Sequence, residues 1–63
     1  MILTVEQAKR LHGIEDGWHM APDEENFLVR STESLVQEHG ENWVREHQEF
    51  LKLELRYIFQ VFL

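Results

Sequence analysis

The sequence predicts an all-α fold, and three observations predict it. Apolar residues recur at spacings of three and four, β-branched runs with period two are missing, and three glycines and one proline punctuate three periodic segments. With 43% hydrophobic residues among 63, the chain is globular rather than disordered. It contains no cysteine, which excludes disulfides, thiolate metal sites and cysteine nucleophiles. A chain this short has difficulty burying a sufficient core alone, and association is the usual remedy.

The first segment reads as a short helix over residues 4–12. Thr4 followed by Gln7 fits a capping box, in which hydroxyl and amide satisfy unpaired backbone groups. Lys9, Arg10 and His12 suit the negative end of the helix dipole, and Gly13 suits a left-handed stop. Val5, Ala8, Leu11 and His12 form a narrow stripe that must dock on something to persist. Residues 13–22 read as a loop with a turn at Asp16-Gly17. Ile14, Trp18 and Met20 are too apolar for a solvated linker, so the loop is expected to lie on the helices with Trp18 as its anchor and Trp43 stacked nearby.

The second helix, about 23–39, opens with Pro22 in its first turn and with Asp23, Glu24 and Glu25 at the positive dipole end. Phe27, Leu28, Leu35 and Val36 form its apolar face with Val29 at the flank, and Gly40 ends it. Ser31 and Thr32 lie on the same face, where their hydroxyls are expected to bond back to carbonyls four residues earlier. The third helix, about 41–62, carries Val44, Gln48, Leu51, Leu55, Ile58 and Phe62 in a heptad-like seam broken by the glutamine. Trp43, His47, Phe50, Tyr57 and Val61 widen it, and Glu41–Arg45 and Arg45–Glu49 are four-residue charge pairs.

Continuous, the third helix would reach roughly 34 Å against about 25 Å for the second. A hairpin of the two would leave most of the Tyr57–Leu63 end uncovered, and a second copy of the chain is the simplest cover. The expected architecture is an antiparallel hairpin with the first helix and loop across it, dimerising into a four-helix bundle. Val44, Leu51, Leu55, Ile58, Phe59 and Phe62 are the expected oligomer interface.

Twelve carboxylates against six Lys and Arg leave a charge of −6, and only Lys9 and Arg10 adjoin. Direct nucleic-acid binding is therefore not expected. The stretch from Leu11 to Val29 holds five carboxylates and no Lys or Arg, which suits a basic partner surface. The start lacks a basic, then apolar, leader and no window of about 20 residues is apolar enough for a bilayer. The expectation is a cytoplasmic chain without membrane attachment.

The four histidines, His12, His19, His39 and His47, include no pair three or four residues apart. The dipeptides Glu38-His39 and Glu46-His47 diverge on a helix and do not chelate alone. Across a hairpin or dimer, His39 and His47 with a glutamate, or His12 with His19, would have to converge. No nucleophile elbow or phosphate-binding glycine loop accompanies Ser31, Ser34, Thr4 or Thr32. No catalytic residue, resident metal or cofactor is expected. The functional expectation is a non-enzymatic interaction module, an adaptor or regulator, acting as a homo-oligomer. The alternative is an acidic inhibitor or antitoxin-like protein masking a basic site through Trp18, Met20, Asp23, Glu24 and Glu25. A His/Glu metal-binding bundle is a third reading.

Overall fold

Local signals place the helix ends. Thr4 Oγ1 accepts from the Gln7 amide at 3.1 Å, and Gln7 Oε1 accepts from the Thr4 amide at 3.0 Å. This reciprocal cap starts α1, Val5–Leu11. Gly13, at φ 63°, ends it: its amide donates to the Arg10 carbonyl at 3.1 Å, and the Ile14 amide donates to that of Lys9 at 2.9 Å. That is the double bond pattern of a left-handed helix stop. Pro22 opens α2, Pro22–His39, whose N-terminal end is tied by Glu24 Oε1 accepting from the Ala21 amide at 2.8 Å. Gly40, at φ 93°, then turns the chain within a single residue into α3, Glu41–Glu46. The last helix is α4, Gln48–Phe62. A computed structural model describes residues 3–62, and among them the chain is all-α with no strand.

The expected continuous helix over 41–62 is in fact two helices. The largest Cα extent of the molecule is 26 Å, too short for a straight helix of that length. The direction changes at His47, whose φ of −106° and ψ of 18° leave the helical region. Its ring Nδ1 donates to the Trp43 carbonyl at 2.7 Å, the acceptor that its own amide already shares at 3.1 Å. A side chain entering the helix ladder is a recognised cause of a bend. The bend also rearranges the charges. Arg45 pairs with Glu41 at 3.8 Å, but Glu49 lies beyond the break and pairs with Lys52 at 3.7 Å instead of Arg45.

Bending lets α4 fold back over α1. Gln48, the polar interruption of the seam, donates from Nε2 to the Leu11 carbonyl at 2.9 Å and so caps α1 from 37 residues away. Lys52 Nζ reaches the Gly13 carbonyl at 3.5 Å. Two core clusters result, one of Leu3, Leu11, Val44 and Leu51, the other of Ala8, Leu28, Leu55 and Phe59. Ile14, Trp18 and Met20 of the loop pack on the second cluster. The Cα radius of gyration, 10.8 Å, is close to the ~10.6 Å expected of a compact 63-residue chain. One copy therefore encloses a core of its own.

The core holds one polar pair. His12 and Thr32 are both buried, with His12 Nε2 and Thr32 Oγ1 2.8 Å apart, tying the end of α1 to the middle of α2.

Candidate functional site

The chain's most unusual surface is the outer side of α4. On a helix, residues four apart share a face, and Leu51, Leu55 and Phe59 form such a row, buried against α1 and α2. Turned away from them are Phe50, Leu53, Tyr57 and Val61, at heptad-like spacing. They are 60%, 66%, 63% and 55% exposed, and Phe62 at the helix end is 72% exposed. Five such side chains present on the order of 600 Å² of apolar surface. That is the upper limit of what a monomer usually leaves bare. Phe50, Leu53, Glu54, Tyr57 and Ile58 together line a shallow, mostly apolar groove.

Of the residues expected at an oligomer interface, Val44, Leu51, Leu55 and Phe59 are buried within the single chain, packed on residues of α1 and α2. Ile58 is half-buried at the edge between the two rows, and Phe62 remains open. Leu53 was not part of the sequence pattern and is now central to the exposed row. Leu63 lies outside the described residues.

The expected partner-contact residues are largely engaged inside the chain. Trp18 sits against Phe59 with ring centroids 6.2 Å apart, and the Arg56 guanidinium lies 4.9 Å from the Trp18 ring, a cation–π cover. Met20 of the same loop packs on the cluster that holds Phe59. Glu24 caps Ala21, and Glu25 pairs with Lys9 at 3.7 Å; Asp23 is exposed.

The histidines part company. His39 and His47 do meet, but with Trp43 between them. The His39–Trp43 centroids are 4.0 Å apart and the Trp43–His47 centroids 4.1 Å, at interplanar angles of 18° and 24°. Two rings stacked that closely on one indole occupy opposite faces, so their nitrogens cannot share an ion. Trp43 is thereby committed to the α2–α3 corner, away from the Trp18 loop it was expected to join. His19 is exposed and His12 is buried. Among the described residues, no group of three or more His, Asp or Glu side chains is arranged to hold a metal.

The Ser31 and Thr32 hydroxyls are spent on backbone, and Ser34 is exposed. Ser31 Oγ donates to the Phe27 carbonyl at 2.8 Å, and Thr32 Oγ1 donates to that of Leu28 at 2.6 Å. Burial holds the His12 imidazolium below the ordinary histidine pKa of 6.5. Among the described residues, no helix is long and apolar enough to cross a membrane. No family model matches the chain, and neither the curated proteins nor the solved structures provide a match.

Proposed function

We propose that this protein is a non-enzymatic interaction module that works as a homodimer, paired through the outer face of α4. The observation that carries this reading is the exposed row Phe50, Leu53, Tyr57 and Val61 on a helix whose opposite face is already core. Charge favours a second copy as its occupant. Up to His47 the chain holds ten carboxylates against four Lys and Arg, whereas from Gln48 onward two stand against two. The whole of the −6 charge thus lies outside α4. Two like acidic molecules repel through their bodies and can approach through a helix without net charge, whose outer groove carries one carboxylate, Glu54. A basic partner would find its carboxylates elsewhere on the chain. Area agrees, since on the order of 600 Å² per copy approaches the roughly 800 Å² that each partner contributes to a standard interface.

The finer architecture follows as part of the same proposal. Two α4 helices pack outer face to outer face about a two-fold axis, with α1 and α2 of each copy as outer layers. The pairing differs from a bundle of two long hairpins because each copy keeps its own core. The acidic-inhibitor reading has less behind it, since Glu24 and Glu25 are committed to Ala21 and Lys9 within the chain.

Absolute mass by light scattering, measured over a wide concentration range, tests the proposal. Wild-type chain is expected to hold a dimer mass into the low micromolar range. The Leu53→Glu/Tyr57→Glu double variant should run as a monomer with unchanged helicity. A wild-type monomer throughout that range would overturn the reading.

A further inference from the structure

The buried His12–Thr32 pair has a fixed sense. A threonine hydroxyl carries one hydrogen, and that of Thr32 is given to the Leu28 carbonyl at 2.6 Å. Thr32 Oγ1 can therefore only accept from His12, so Nε2 bears the ring proton of the 2.8 Å bond. Nδ1 is left with its lone pair, buried and without a hydrogen-bond partner. A second proton has only that nitrogen to go to. It would create a buried N–H facing no acceptor and a charge sealed from water, the costliest combination a core can hold.

We infer that His12 is an acid-release latch, which holds α1 on α2 while its ring is neutral and frees α1 when the ring takes up a proton. Among the described residues, no carboxylate lies within ion-pair distance of the His12 ring. Lys9 of α1 pairs with Glu25 of α2, Glu33 of α2 accepts from the Leu3 amide at 2.9 Å, and Lys52 of α4 reaches the Gly13 carbonyl. Release is not a local event. Leu3 and Leu11 belong to the first cluster and Ala8 to the second, three of the eight buried hydrophobics among the described residues. A detached helix of seven residues does not persist in water, so losing it opens the faces of α2 and α4 beneath.

The sign follows from linkage. The unfolded ring binds its proton near pH 6.5 and the folded ring only at lower pH. The latch is therefore fully closed above about pH 6.5, and its contribution is lost as pH falls from there through the lowered folded value. The device does not depend on dimerisation.

Denaturant unfolding followed by circular dichroism at pH 7 and pH 5, at one protein concentration, tests it. The comparison is wild type against His12→Gln, which keeps an N–H donor for Thr32 but cannot titrate. The wild-type unfolding constant is expected to rise between these pH values by up to about 25-fold more than that of His12→Gln, the limit for a group that takes no proton when folded. Equal rises in the two proteins would overturn the latch. If His12→Gln does not fold, the ring-proton NMR signals of the wild-type chain decide. His12 should keep its neutral-form shifts at pH 6 while the folded spectrum persists, and a folded His12 that titrates at its ordinary value would overturn the inference.

Discussion

Two apolar rows run along α4 with opposite fates. Leu51, Leu55 and Phe59 disappear beneath α1 and α2, whereas Phe50, Leu53, Tyr57 and Val61 stay in the open. Composition does not separate them, since each row mixes aliphatic and aromatic residues. What separates them is the supply of partners. A helix apolar on opposite faces is built to lie between two layers, and one copy of this chain provides one. The inner row is what the fold buries for itself, and the outer row is what the proposed pairing would bury.

Substitutions can break that contrast in graded steps. Leu55→Ala in the inner row should cost about 2–5 kcal/mol through lost burial and the cavity left behind, seen as a lower denaturation midpoint at every protein concentration. Gly13→Ala should cost about 1–2 kcal/mol for its left-handed backbone, and more if Gln48 cannot withdraw, because a Cβ would stand 2.8 Å from Gln48 Oε1. Gln48→Leu sharpens the comparison differently. It completes the heptad seam, yet it should destabilise by about 1 kcal/mol because the Leu11 carbonyl loses its donor. Stabilisation would show that the seam outweighs the cap. The smallest effect belongs to the outer row: Leu53→Glu should change the unfolding free energy measured at high dilution by less than about 0.5 kcal/mol.

The parts of the fold legible in the sequence are those determined by neighbours along the chain. Thr4 and Gln7 cap each other three residues apart, Gly13 and Gly40 adopt the positive φ their positions call for, and Thr32 bonds back to Leu28. The contacts that were not legible join distant residues. Gln48 reads as a flaw in a seam until Leu11, 37 residues earlier, is placed beside it. His12 reads as a helix-end cation until Thr32 meets its ring and burial strips it of charge. The bend at His47 was hidden because the spacing of three and four residues continues through it from Val44 to Leu51, with only Gln48 interrupting its apolar character. The candidate surface was half legible: the excess of hydrophobes in the last helix was plain, but which row the chain would keep depended on where α1 docks.

The stack of Trp43 between His39 and His47 gives the molecule an optical asymmetry. Its two indoles sit in unlike surroundings, Trp18 beside Phe59 under Arg56 and Trp43 between two imidazoles. The two indoles should therefore differ in emission. Removing one indole at a time, with Trp18→Phe or Trp43→Phe, then turns intrinsic fluorescence into a separate readout for each end of the fold. The α2–α3 corner and the loop over α4 can thus be followed independently, without any attached dye.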